Sequence, residues 1–212
     1  MRTKDDHGAG PATFTQRKRS EQLIDCALDA IVELGFQGTS VAEVAKRAGV
    51  SKGVVTYHFA AKDDLIFAVV ARIFDSITEA LETRLRGTSP ETFVADYINA
   101  WVDYYGTHTR YVLAIREIWG NFRDATGRQH FGPRAVEGEL GVVQSALEHG
   151  QAQGVRAPFD ARVMAVSIKA SLEALLEQFA SDPELDLKAY GAELVTLFER
   201  ATRPDTRFTS AA

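Results

Sequence analysis

The stretch from Ser40 to Phe59 constrains the fold of this chain most, because it fits two short helices joined by a tight turn. Ser40-Val41-Ala42-Glu43 has the form of a capping box, in which the serine hydroxyl accepts from the Glu43 N–H and the Glu43 side chain reaches back. Gly49 supplies the left-handed backbone that a sharp turn needs, and Ser51 is the predicted N-cap of the second helix. Two helices joined by a short glycine-containing turn are typical of a helix-turn-helix.

The second helix of this motif has two different faces. At about 100° per residue, Val55 and Phe59 fall on the side that packs against the first helix. The opposite arc carries hydrogen-bonding groups, a small apolar side chain and no acid, which suits the reading of base edges in the major groove. The DNA-binding residues predicted in the motif are Ser40, Ser51, Lys52, Gly53, Val54, Thr56, Tyr57 and His58, with Arg17, Lys18 and Thr39 on the DNA backbone.

Two of these assignments have a structural alternative. Gly53 can bring the helix close to the groove, or it can be a glycine that the helix merely tolerates. The basic run Arg17-Lys18-Arg19 stands at a predicted helix start, where three cations oppose the helix dipole. We interpret the run as a contact with the DNA backbone or an adjacent minor groove, and the alternative is a solvated basic tail.

The residues of the motif and its flanks closely resemble the N-terminal domain of the tetracycline-repressor (TetR) family. The matching runs are Gly38-Thr39-Ser40-Val41-Ala42-Glu43-Val44-Ala45, Ala48-Gly49-Val50-Ser51-Lys52-Gly53, Tyr57-His58-Phe59 and Lys62-Asp63-Asp64-Leu65. This resemblance covers under a third of the chain, and it implies that Lys62 contacts phosphate, where the alternative is an exposed lysine. Thr56 departs from the family, which commonly has tyrosine at this position, and the departure bears on which operator sequence is read.

The charge of the chain is divided in the way that a DNA-binding protein with one basic part requires. The net charge is −5, but residues 1–62 hold nine Lys and Arg against seven Asp and Glu, so the acidic excess lies in the remainder. Only the basic part is expected to meet phosphate. With 45% apolar and 25% charged residues, the composition is that of an ordinary globular protein.

The periodicity of the chain predicts an all-α fold. We expect a flexible arm over residues 1–16, a three-helix DNA-binding domain over 17–62, a larger helical domain over 63–202 that binds an effector and dimerises, and a frayed end over 203–212. The first helix is predicted from Ser20 to Leu34, ended by Gly35, and a later one begins with Ser89 as N-cap and Pro90 at its first position. Further helices are predicted over residues 63–86, 111–119, 133–150, 160–180 and 187–201.

An aromatic cluster in the larger domain is interpreted as a binding pocket for a largely apolar small molecule. Large apolar walls with a few polar groups are typical of such sites, although most of these rings can instead be core. The resemblance to the TetR family places the effector cavity in the same region. Arg116 is expected to meet a ligand carboxylate, or to pair with Glu117 or Glu82. The predicted effector-binding residues are Trp101, Tyr104, Tyr105, Tyr111, Arg116, Trp119 and Phe122.

The last two helices are apolar over more than one stripe, which predicts a homodimer. A dimer doubles the DNA contacts of a short reading helix and demands a palindromic duplex site. Pairing of two helices with their copies would form a four-helix bundle. The predicted interface residues are Ile168, Leu172, Leu175, Phe179, Leu194 and Phe198.

Patterns typical of catalysis or metal binding are missing from the sequence. No His pairs with another His or with Cys at zinc-ligand spacing, and phosphate-binding glycine loops and Gly-x-Ser-x-Gly turns do not occur. We therefore expect no enzymatic activity, no metal and no cofactor. Cys26, the only cysteine, is interpreted as a buried thiol rather than a redox sensor. Since neither a signal peptide nor a long apolar run is present, a cytoplasmic location without membrane contact is expected.

Three functions remain open at this point. The first is a homodimeric repressor released from DNA by a small molecule. The second is a DNA-binding regulator without an effector, whose larger domain serves only for assembly or protein partners. The third is an all-α enzyme that carries an incidental helix-turn-helix, and the missing catalytic patterns disfavour it.

Overall fold

A computed structural model describes residues 14–123, 126–128, 130 and 137–204. The described residues form nine α-helices and no β-strand, which confirms the all-α prediction. The predicted arm over residues 1–16 and the predicted frayed end over 203–212 lie mostly outside the described residues. The helices are α1 Phe14–Gly38, α2 Val41–Ala48, α3 Lys52–His58, α4 Lys62–Leu85, α5 Phe93–Thr107, α6 Thr109–Asn121, α7 Glu137–Ala152, α8 Ala161–Ser181 and α9 Leu187–Thr202.

The chain divides into two compact units after Arg72, so α4 contributes residues to both. In the first unit, α1 packs on α2 and α2 packs on α3. Leu23, Leu28, Ile31, Val44 and Val55 lie fully buried at the centre of this unit. The helices α1, α2 and α3 bury this core by facing one another with their apolar sides.

Helix α1 is longer than the sequence predicts and begins six residues before Ser20. Contacts made by its first turns account for the difference: Gln16 Nε2 donates to the Tyr57 hydroxyl at 3.0 Å, and Lys18 Nζ lies 4.6 Å from the centre of the Phe14 ring. The predicted break at Gly35 is present, since this residue has φ 72° and ψ 171° inside the range of α1. The half-buried Cys26 lies in the same helix.

In the second unit, α5 packs against α9 and α8, and α7 packs against α8. Within residues 14–123 and 137–204, every helix lacks the combination of length and hydropathy that crossing a lipid bilayer requires. The core shared by these helices includes Ile98, Val143, Leu147, Ile168 and Leu172.

Helix α5 begins three residues later than the sequence predicts. Thr92 N–H and Phe93 N–H both donate to the Ser89 carbonyl, so residues 89–92 form a turn. A helix with Ser89 as N-cap would next need a bond from the Val94 N–H to the Pro90 carbonyl, and this carbonyl instead accepts from Arg156 Nε at 3.3 Å. The predicted helix start at Ser89 and Pro90 is therefore wrong, and a side chain distant in sequence competes for the carbonyl.

Candidate DNA-reading surface and ligand cavity

The turn between α2 and α3 forms as the sequence predicts. Ser40 caps α2, with its Oγ accepting from the Glu43 N–H at 3.2 Å, and Gly49 ends the helix with φ 66°. The reciprocal arm of the capping box does not form, because the Glu43 carboxylate instead accepts from Arg47 Nε at 2.9 Å. Ser51 precedes α3 as its N-cap without a side-chain cap bond. The turn therefore holds α3 by backbone conformation and by the burial of Val55.

The outer face of α3 presents the predicted reading residues. Lys52, Gly53 and Thr56 are exposed, and Tyr57 is 71% exposed, whereas Val54 and His58 are half-buried. The hydroxyl of Thr56 donates to carbonyls of its own helix. The hydroxyl proton of Thr56 is therefore engaged within α3, which leaves its methyl group as the apolar part of this exposed side chain.

An exposed tyrosine on this face is held in place by α1. The bond from Gln16 Nε2 to the Tyr57 hydroxyl fixes the tip of a side chain that would otherwise sample several rotamers. The His58 ring lies edge-on to Tyr57, with ring centres 5.3 Å apart. Because these contacts already restrict the Tyr57 side chain, it loses less conformational entropy when it contacts a binding partner.

Two residues assigned to the DNA backbone have contacts inside the protein. Thr39 is only 2% exposed and donates its hydroxyl to the Gly35 carbonyl at 2.9 Å. Lys62 Nζ donates to the Phe36 carbonyl at 2.8 Å and lies 4.4 Å from the centre of the Phe36 ring. Burial lowers the pKa of this lysine. Both side chains stabilise the connection between α1 and α2, while Arg17 and Lys18 are exposed on α1.

The second unit contains a cavity of about 1060 Å³ between α4, α5, α6, α7 and α8. Five of the predicted effector-binding residues line it: Trp101, Tyr104, Tyr105, Arg116 and Trp119. Tyr111 and Phe122 do not. Tyr111 is half-buried beside His108, and Phe122 is buried with its ring 5.1 Å from that of His130. The periodicity of a helix does not distinguish rings that face a cavity from rings that face a loop.

Glu139 on α7 forms a polar centre in the wall of this cavity. Its carboxylate accepts from the Tyr97 hydroxyl and from Trp101 Nε1 at 3.0 Å, and it pairs with Lys169 Nζ at 2.9 Å. Burial and the neighbouring carboxylate raise the pKa of Tyr97. Sequence reasoning did not select Glu139 or Lys169. The sequence offered one signal for them, because each is an ionisable residue directly beside an apolar residue that is buried: Lys169 follows Ile168, and Glu139 precedes Leu140.

Arg116 lies at the cavity but does not pair with either carboxylate named from the sequence. Its Nε is 2.7 Å from Glu177 Oε2 on α8, so the predicted pairing with Glu117 or Glu82 is not the one that forms. The partner lies 61 positions away in the sequence. Only the packing of helices distant in sequence brings the two side chains together.

All six residues predicted for the dimer interface are buried within a single protomer. Ile168, Leu172 and Leu175 are at most 1% exposed, and Phe179, Leu194 and Phe198 are at most 8% exposed. They fill the protomer core and leave no side-chain surface for a second subunit. Large apolar side chains that remain exposed on the same two helices are Val163, Val166 and Leu197, at 60%, 44% and 57%.

Comparison with known proteins agrees with the geometry of both units. Residues 23–69 match the family described as bacterial regulatory proteins of the tetR family. The HTH-type transcriptional regulator BetI of Klebsiella pneumoniae is 32% identical over 109 residues, which are 51% of this chain and 55% of BetI. The chain thus spans about 55% of the length of this curated relative.

Solved structures share the fold over most of their length. A complex of SmeT with triclosan superposes with a TM-score of 0.74 and 21% identity, covering 92% of this chain and 96% of SmeT. NalD, the secondary repressor of the MexAB-OprM multidrug efflux pump in Pseudomonas aeruginosa, gives a TM-score of 0.72 and 18% identity, covering 91% and 99%. By residues 23–69, which contain its helix-turn-helix, this chain is similar to the bacterial regulatory proteins of the tetR family.

Proposed function

We propose that this protein is a homodimeric repressor that binds a palindromic operator and is released from it by a small molecule in the cavity of the second unit. The observation that carries the proposal is the exposed outer face of α3, with Lys52, Gly53, Thr56 and Tyr57 presented beyond a buried Val55. An α-helix fits the major groove, and its outward side chains then face base edges.

The homodimer is supported by the apolar surface of α8 and α9. Val163, Val166 and Leu197 are large apolar side chains that a monomer would leave in water. Two copies related by a two-fold axis would bury these side chains and present two α3 helices to one palindrome. We propose this exposed surface as the interface in place of the six buried residues.

Release by a ligand is supported by the cavity and by helix α4. Residues of α4 between Ile73 and Leu85 line the cavity, and the first turns of the same helix belong to the DNA-binding unit. A ligand changes operator affinity only through its different affinities for the bound and released states. SmeT, which has the same fold, was solved with triclosan. A regulator without an effector remains the alternative.

Replacing Lys52 by alanine tests the assignment of α3 to DNA. Operator duplexes are first selected from a random pool. Because Lys52 is exposed at the start of α3, its loss should weaken binding uniformly across sequences and reduce the slope of log affinity against log salt by about 1. Fluorescence anisotropy at several salt concentrations measures both. Lys188→Ala, at an exposed lysine of α9, is the matched control, and an unchanged slope in Lys52→Ala would refute the assignment.

Replacing Gly53 by alanine separates its two interpretations. A Cβ at this position would meet only Ser51 Oγ, at 3.7 Å, so the free protein has room for it. We expect the variant to be more stable by about 0.5–1 kcal/mol, since alanine is the better helix former, and to bind operator more weakly because the methyl group holds α3 away from the groove. Gly141→Ala on α7, where a Cβ has open space, should gain stability and keep operator affinity. If Gly53→Ala keeps the full affinity for operator DNA, Gly53 is a glycine that the helix merely tolerates.

A further inference from the structure

The charged groups that line the cavity have an excess of acid. The lining includes the carboxylates of Glu82, Glu139, Glu173 and Glu177 and the cations Arg86, Arg116 and Lys169. Two pairs neutralise each other, Glu139 with Lys169 and Glu177 with Arg116. Among the described residues, Glu82, Glu173 and Arg86 form no ion pair, so two carboxylates stand against one guanidinium.

A second and independent feature is the hydroxyl of Tyr105. This residue is 2% exposed and lines the cavity, and its hydroxyl makes no hydrogen bond to any other residue that the structure describes. The hydroxyl oxygen is not fully buried, since no fully buried side-chain N or O atom of the described residues lacks a partner, and the cavity is the space that this side chain lines. A buried tyrosine hydroxyl in a cavity wall, without a protein partner, can form a hydrogen bond with a polar group of a ligand.

The electrostatic environment of this hydroxyl is negative. Burial raises the pKa of Tyr105, and the charges of Glu139 and Glu173 raise it further. Both carboxylates therefore act on the same point of the cavity. A positive group placed there is attracted by both carboxylates once Lys169 moves away from Glu139, whereas a negative group is repelled by both and attracted only by Lys169. We name Glu139, Glu173 and the Tyr105 hydroxyl the acidic end of the cavity.

The protein already holds one ammonium group in this region. Lys169 Nζ lies 4.0 Å from the centre of the Trp101 ring and 2.9 Å from Glu139 Oε2. A cation over an indole face and beside a carboxylate is the arrangement by which aromatic sites bind ammonium ligands. Glu173 lies four residues after Lys169 on α8, so Lys169 can pair with it if a ligand takes its place at Glu139.

We propose that the cavity binds lipophilic cations, that is, an apolar or aromatic body carrying a protonated amine or quaternary ammonium group, with the positive group at the acidic end. The identification of this molecule as the effector rests on the function proposed above. Trp119, Phe74 and the apolar residues of α4 supply the walls for the body of the ligand. An anionic ligand would meet one unpaired guanidinium, that of Arg86, and the unpaired carboxylates of Glu82 and Glu173 would repel it.

The test compares tetraphenylphosphonium with tetraphenylborate, which have the same four phenyl groups and opposite charges. Both tryptophans of the chain, Trp101 and Trp119, line the cavity, so quenching of tryptophan fluorescence in the full chain reports binding. We expect saturable quenching by the phosphonium, and a ratio of phosphonium to borate affinity that falls by about tenfold or more in Glu173→Lys. Glu193→Lys, an exposed glutamate on α9, has the same change of net charge and should keep the ratio.

The outcomes separate this inference from the proposed function. Equal ratios in Glu173→Lys and Glu193→Lys, or no quenching by the phosphonium, would overturn the cation site. A phosphonium that binds with the expected ratios but leaves operator affinity unchanged would support the cation site and overturn release by a ligand. If the phosphonium weakens operator binding, operator DNA must weaken phosphonium binding by the same factor, and that result would support both.

Discussion

Replacing Arg156 by methionine should lower the free energy of unfolding by about 3–5 kcal/mol, because it leaves a carboxylate and two carbonyls without their donor. The Arg156 side chain is 3% exposed. Its Nη1 and Nη2 donate to the two carboxylate oxygens of Glu199 at 2.8 and 3.0 Å, and Nη1 also donates to Thr202 Oγ1 at 2.8 Å. The same guanidinium donates to the carbonyls of Pro90 and Glu91. One side chain thus holds together the turn before α5, the connection before α8 and the end of α9.

Urea and thermal denaturation of the full chain measure this effect, and a fall in Tm of roughly 10 °C is expected for a protein of this size. Arg200→Met is the matched control, since Arg200 is exposed on α9 next to Glu199 and surface substitutions usually change stability by under about 0.5 kcal/mol. Adding Glu199→Leu to Arg156→Met should recover part of the loss, because it removes the unpaired carboxylate. If Arg156→Met loses no more stability than Arg200→Met, the buried guanidinium does not hold these segments together.

The double variant Val163→Asp with Leu197→Asp should strongly weaken the proposed dimer and keep the protomer folded. Both side chains are more than half exposed in one protomer, so a carboxylate there costs the isolated fold little. In a two-fold interface each carboxylate is desolvated in both copies, at several kcal/mol per ion. We therefore expect the dimer to weaken by about a thousandfold or more, and operator affinity to fall with it. Sedimentation velocity and operator titration measure the two effects.

Leu34→Asp serves as the control, because Leu34 is an exposed leucine of the DNA-binding unit. It should leave the sedimentation coefficient unchanged. A dimer that survives the double variant would contradict the proposed interface. Substitution of Leu172, which is fully buried in the protomer, could not test the interface, since a carboxylate there would unfold the chain.

The sequence alone was sufficient for features whose causes lie within a few residues. The Ser40 cap depends on the N–H of Glu43, and the end of α2 depends on the conformation of Gly49. The start of α8 depends likewise on Asp160, whose side chain accepts from the Val163 N–H at 2.9 Å. These bonds form inside one turn of helix, so local residue order determines them. The same reasoning placed the outer face of α3, because Val55 must be buried for α3 to pack on α2.

Contacts between residues distant in sequence were decided only by the tertiary structure. Periodicity shows that α8 has several apolar stripes. Which stripe is buried depends on how α5, α7 and α9 pack around α8, and this packing places Leu172 in the protomer core and leaves Val163 exposed. Arg116 meets Glu177, and Arg156 meets Glu199, because tertiary packing brings separate parts of the chain together over 61 and 43 positions. An ion pair needs the approach of two charged atoms to about 3 Å, and residue order specifies that approach only inside a helix. The acidic end of the cavity depends on the same packing, since it combines residues of α5, α7 and α8.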